Sequence, residues 1–264
     1  MLALVGDLNG PALWRCLQPI TALEKSGYRC GWDYARNDAV GALALSYDGL
    51  IIPRMSWTTV GRGLARRWFD LAHARGQVVV FEADDDVFST SMTRHALGAG
   101  LTNGKTFEQL EAERHDTLWA MRQCDGVTVS TEPLAETVRA FTDRPVIVVP
   151  NAIDVSWLRS VLRRAQTRSP YVTIGRAAGR PSEATRGPVV GWCGGQRDDD
   201  DLGAVAEAWT RVARRCPDVR FVVAGHRSKR LMDAVPADRL AYRPWLPIDR
   251  YPANLAGLDI GVAA

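Results

Sequence analysis

The stretch CDGVTVSTEPLAETVRAFTDRPVIVVPNAID, residues 124–154, decides the fold of this chain. Two short β-branched runs, GVTVS (126–130) and VIVVP (146–150), flank a helical pattern over 132–141. Ser130 and Thr131 end the first run. Pro150 ends the second, and Asn151 turns the chain beyond it. Asp154 then stands where a helix N-cap belongs. Runs this uniformly apolar read as strands buried on both faces, the mark of a parallel sheet covered by helices.

The same alternation extends in both directions. Candidate strands lie at 2–6, 48–53, 77–83, 126–130, 146–150, 189–194, 219–225 and 259–263. Helical patterns fall between them at 11–26, 58–75, 104–123, 132–141, 154–166, 200–215 and 248–257. The first of these puts Leu13, Leu17, Ile20 and Leu23 on one face and stops at Gly27. Strands alternating with helices across short connections predict a doubly wound α/β architecture.

One break interrupts this order. Residues 167–188, TRSPYVTIGRAAGRPSEATRGP, are rich in Gly, Pro, Ser, Thr and Arg and hold no period. The expected organisation is therefore an α/β domain over 1–170, a linker over 171–187 and a second α/β domain from 188 to 264. The second copy has room for about four strands and ends on one, so it is expected to be incomplete.

Composition narrows the functional classes. The 264 residues are 46% hydrophobic and 24% charged, which is ordinary for a globular protein. The 33 basic and 30 acidic residues leave a net charge of +3, so no charge excess marks a nucleic-acid or anionic-membrane partner. The five cysteines (Cys16, Cys30, Cys124, Cys193, Cys216) form no CxxC pair, which fits a reducing cytoplasm better than a disulfide framework or a zinc site. No run of about 18 apolar residues predicts a membrane span.

The 124–154 block resembles the close of the first domain in GT-B glycosyltransferases of glycosyltransferase family 4. There a strand ending in Ser leads by a helix to a second strand and a Pro-Asn-Gly turn; Ala152 takes the place of that Gly here. The segment 6–28, GDLNGPALWRCLQPITALEKSGY, is similar to the family's first strand, loop and helix. It offers Asn9, Gly10 and Arg15, with Asn151, for the acceptor side of a cleft. The spacing is not GxGxxG. In GPVVGWCGGQRDDDDLGAV (187–205), a strand and a Gly-Gly loop resemble the family's donor-phosphate loop, with Gly194 and Gly195 exposing backbone N–H groups and Arg197 adding positive charge. Acids follow where the family carries Lys. Two further segments, 219–226 with Gly225 and 243–263 with Trp245 and Leu246, are similar to the family's later donor-domain strands.

The resemblance implies two Rossmann-like domains, a UDP- or GDP-linked sugar donor and a carbohydrate, lipid or protein acceptor. It also implies that no metal or other cofactor is needed, because electrostatics stabilise the leaving diphosphate. The family's pair of donor-site glutamates falls beyond the last strand present here.

One cluster stands outside the family pattern. In VVVFEADDDVF, Glu82, Asp84, Asp85 and Asp86 gather at the carboxyl end of a strand, where ionised carboxylates must be solvated, paired or metal-bound. Asp84, Asp85 and Asp86 are the catalytic candidates, orienting acceptor hydroxyls or serving as base. Helix capping is the plain structural alternative. A third reading is a Mg²⁺ or Mn²⁺ site of the kind found in GT-A enzymes. His73, His95, His115 and His226 show no ligand spacing, and no Walker loop or nucleophile elbow occurs. A non-catalytic nucleotide- or glycan-binding protein on a GT-B remnant is the remaining alternative to a transferase.

Overall fold

A computed structural model describes residues 1–6, 10–35, 45–54, 62–102, 104–168, 187–195, 199–247 and 250–263. The chain divides into two compact units, Met1–Ile153 and Asp154–Ala264, each built on its own parallel sheet.

In the first unit the strands are β1 (Leu2–Val5), β2 (Gly31–Tyr34), β3 (Gly49–Pro53), β4 (Val78–Ala83), β5 (Gly126–Val129) and β6 (Val146–Val148). They lie side by side in the order β2-β1-β3-β4-β5-β6, every neighbouring pair parallel. All four residues of β1 are buried, because helices cover both faces of a central strand. The helices are α1 (10–25), α2 (Arg62–Ala74), α3 (Thr90–Gly98), α4 (Phe107–Arg122) and α5 (Glu132–Arg139). Helix α4 starts on a reciprocal cap between Thr106 and Gln109, and α5 on Thr131, whose hydroxyl accepts from the Leu134 N–H. Phe81, Phe88, Leu50, Ile52 and Met121 fill the core, each fully enclosed. Burial of one such side chain stabilises the unit by about 1.5–3 kcal/mol.

The second unit opens with α6 (Val155–Arg168), capped as expected by Asp154, which accepts from the Trp157 N–H at 2.9 Å. Its strands β7 (Val189–Gly194), β8 (Arg220–Gly225), β9 (Leu240–Pro244) and β10 (Ile260–Val262) run parallel in the order β10-β7-β8-β9. Helices α7 (Asp199–Arg215), α8 (Lys229–Asp233) and α9 (Pro252–Leu255) join them. The core centres on Trp209 against Phe221, ring centroids 5.2 Å apart. Helix α6 precedes the expected linker in sequence, yet it packs on α9 and so belongs to the second unit by contact. Most of the expected linker lies outside the described residues.

Four elements had no counterpart in the sequence reading: β2, β9, α3 and α8. The expected helix over 248–257 is only the short α9.

Candidate functional site

Open α/β sheets receive ligands at the carboxyl edge of the strands, where strand order reverses. The first sheet reverses between β1 and β3, the second between β7 and β10. Each unit places a distinct set of candidate residues along its carboxyl edge, the second unit's at the ends of β7 and β8.

In the first unit, α1 widens into a π-turn over Leu13–Leu17, and this turn carries Arg15. Arg15 is buried and its Nε donates to Glu82 Oε1 at 2.5 Å. Its Nη1 donates to the Val149 carbonyl and, at 3.1 Å, to Asn151 Oδ1. Arg15 therefore ties α1, the end of β4 and the chain leaving β6 into one cluster. Burial pushes the Glu82 carboxyl up to about 7, against the pull of Arg15, which burial outweighs. Burial likewise pushes the neighbouring Cys16 thiol up, with Glu82 adding to the effect, so it stays protonated and unreactive.

Beyond β4 the three aspartates part company. Arg54, the residue after β3, forks between Asp84 Oδ1 at 2.8 Å and Asp85 Oδ2 at 2.5 Å. Asp84 is largely covered and Asp85 is exposed, at 14% and 64% of side-chain area. Ser130 donates to the Asp84 carbonyl at 3.0 Å. Asp86 turns inward to its own chain: it accepts from the N–H groups of Phe88 and Ser89 and from the Ser89 hydroxyl. That pattern holds the turn into α3. Among the described residues no three His, Cys, Asp or Glu side chains gather as metal ligands.

In the second unit the ends of β7 and β8 lie side by side, with Gly194 opposite Gly225. Gly225 has φ +88°, and a Cβ there would stand 2.4 Å from the Gly194 carbonyl oxygen. Only glycine fits. The benzo edge of Trp245 comes up against Gly225 and Gly195; the residue is 57% exposed, and its ring is tilted against Tyr251 with centroids 6.0 Å apart. Leu246, by contrast, is buried against Ala253, so its side chain packs. Below the platform, buried Arg243 donates from Nη1 to the carbonyls of Asn254 at 2.8 Å and Ala256 at 3.0 Å. Asn254 Nδ2 in turn donates to the Pro244 carbonyl. These bonds brace the turn that carries Trp245.

Of the residues expected from sequence, Arg15 and Asn151 meet, and Gly194, Gly195, Gly225 and Trp245 assemble around one spot. Gly10 begins α1, where an added Cβ would, among the described residues, make only ordinary contact with Trp14. Asn9 and Arg197 lie outside the described residues. Sequence reasoning missed Arg54, Tyr242, Tyr251 and Arg243. Arg54 was within reach, since it directly follows a strand run at the edge where ligands bind.

No protein-family model matches the chain, and no curated protein sequence matches it. Two Rossmann-like units define the GT-B fold, and solved structures share it. The chain aligns over 98% of its length with an alpha-glucosyltransferase in complex with UDP, covering 71% of that chain at TM-score 0.59 and 11% identity. It aligns over the same share with HepE from Anabaena in complex with UDP and glucose, covering 72% at TM-score 0.50 and 13% identity. A UDP-GlcNAc 2-epimerase from Neisseria meningitidis bound to UDP-GlcNAc is matched over 98% of this chain and 76% of its own, at TM-score 0.50 and 12% identity. At such identities the likeness establishes the fold, which UDP-sugar transferases and epimerases hold in common. Among the described residues no helix is long and apolar enough to cross a membrane.

Proposed function

We propose that this chain binds a nucleotide-diphosphate sugar, UDP- or GDP-linked, on its second unit and transfers the sugar to an acceptor recognised by the first. The observation that carries this reading is the exposed Trp245 ring with its edge against Gly195 and Gly225 at the ends of β7 and β8. An open aromatic face suits base stacking, and side-chain-free strand ends let a diphosphate approach backbone N–H groups. Arg197, two residues past Gly195 in the sequence, adds positive charge for the leaving diphosphate. The resemblance of residues 124–154 to glycosyltransferase family 4 supports transfer as the reaction.

On the first unit, Asp85 and Asp84 are the carboxylates offered to an acceptor. Arg54 fixes both in position to orient acceptor hydroxyls, and Asp85, the more exposed of the two, is the carboxylate that takes up the hydroxyl proton as the new bond forms. Asp86 supports them by holding the turn. Pairing with an arginine favours this role over a metal site for the same aspartates.

Thermal unfolding with UDP, GDP and their sugars, with and without Mg²⁺, tests the reading, since a ligand that binds only the native state raises its stability. Product analysis then separates reactions. Diphosphate release that depends on an added acceptor is expected. Conversion of the donor's own sugar without that release would make the protein an epimerase, and no stabilisation by any nucleotide would remove the donor site.

A further inference from the structure

The carboxyl edge of a parallel sheet ends in carbonyl oxygens, partial negative charges that disfavour an arriving diphosphate. In the second unit these oxygens are engaged. The Tyr251 hydroxyl donates to the Cys193 carbonyl at 3.0 Å, and the Tyr242 hydroxyl to the Gly225 carbonyl at 2.9 Å. Between them, the Gly194 carbonyl accepts from the His226 N–H at 2.8 Å. Three acceptors, two at the end of β7 and one at the end of β8, are thus satisfied from within the unit.

The two tyrosines do this from different places. Tyr242 stands on β9 and Tyr251 just ahead of α9, so each reaches across to a strand that is not its own. The peptide joining Gly225 to His226 is held at both ends, its oxygen by Tyr242 and its N–H by Gly194. Holding a carbonyl also fixes the N–H of the same rigid peptide plane. Positive charge backs the arrangement: the Arg227 guanidinium lies 5.5 Å over the Tyr242 ring. Tyr251, through its ring, also faces Trp245.

We propose that Tyr242 and Tyr251 are positioning residues for the diphosphate of the ligand, occupying strand-end carbonyls that would otherwise repel it. This inference rests on the donor site proposed above. It goes further by separating the tyrosine hydroxyls, which serve the charged part of the ligand, from the Trp245 face, which serves the base.

The test uses Tyr242→Phe and Tyr251→Phe in the full chain, singly, because phenylalanine keeps the ring packing and removes only the hydroxyl. Calorimetric affinities are measured for each nucleoside and its diphosphate: uridine with UDP, and guanosine with GDP. Each variant is expected to weaken the diphosphate by roughly three- to tenfold, the scale of one hydrogen bond, and to leave the nucleoside unchanged. Unchanged nucleoside affinity also reports an intact fold. Equal weakening of nucleoside and diphosphate would overturn the proposal, assigning the tyrosines to the shape of the platform. Unaltered diphosphate affinity in both variants would overturn it as well. If the unmutated chain binds neither nucleoside nor diphosphate, the donor-site reading itself falls and takes this one with it.

Discussion

Arg15 and Glu82 stand 67 positions apart in the sequence, yet Arg15 Nε donates to Glu82 Oε1 at 2.5 Å with each side chain less than a tenth exposed. The pair sits at the edge where the first sheet would meet a ligand, but Arg15 spends its donors on the protein itself. Arg15 thereby ties the edge together, while Arg54 and Asp85 are more exposed.

Glu82 makes stability depend on pH in a defined direction. Its folded value, raised to about 7, lies above that of an unfolded glutamate near 4.3. Between those values the unfolded chain has released a proton that the folded chain retains, so stability falls as pH rises through the window and levels off above it. Glu82→Gln should flatten the slope of melting temperature against pH from roughly 4.5 to 7. A variant whose slope equals the parent's would mean that Glu82 is ionised throughout.

Gly225 and Gly195 should respond differently to alanine. At Gly225 the added Cβ meets a carbonyl oxygen at a positive φ, and such strain costs on the order of 1–3 kcal/mol. At Gly195 the nearest atom among the described residues is the edge of Trp245, 4.0 Å away. Denaturant unfolding should therefore show a clear loss for Gly225→Ala and almost none for Gly195→Ala. Equal losses would contradict the geometry at the strand ends.

Asp85→Asn separates binding from transfer. The side chain is mostly solvated, so removing its charge should change stability by less than about 1 kcal/mol. Nucleotide affinity should stay constant while transfer to acceptor falls sharply. If only the melting temperature moves, the aspartates after β4 are structural.

Trp245→Ala should lower nucleotide affinity by about 1–3 kcal/mol, the worth of one stacked base, with little effect on the melting temperature. A large loss of stability instead would make the ring a packing anchor.

The central strands were legible because both their faces are apolar, as in LALV of β1 and VVVFEA of β4. Two edge strands, β2 and β9, were not, although the edge strands β6 and β10 were read at 146–150 and 259–263. GWDY in β2 exposes Trp32 and Tyr34, and LAYRP in β9 buries only Arg243, so neither presents an apolar run. Helix α3 buries no residue and therefore carries no stripe to read. At the sites, the glycines could be found because each stands at the end of a strand run that is itself legible. Arg15 with Glu82, and Tyr251 with Cys193, could not: such pairs exist only once register and strand order are set. A hydroxyl meeting a carbonyl leaves no trace in spacing.

The tether from Arg15 to Val149 and Asn151 spans 134 and 136 positions, nearly the whole first unit, and that unit closes at Ile153. A chain emerging from the ribosome makes α1 early and must wait for those last residues before the arginine finds all its acceptors. Until then a charged group destined for the interior remains in water, and the sheet edge it secures stays unfinished. Long-range closure of this kind is slow, and it puts completion of this sheet edge late in the folding of the first unit. Ribosome-bound chains stopped short of residue 149 would carry an edge without its fastener, open to proteases that the finished unit excludes.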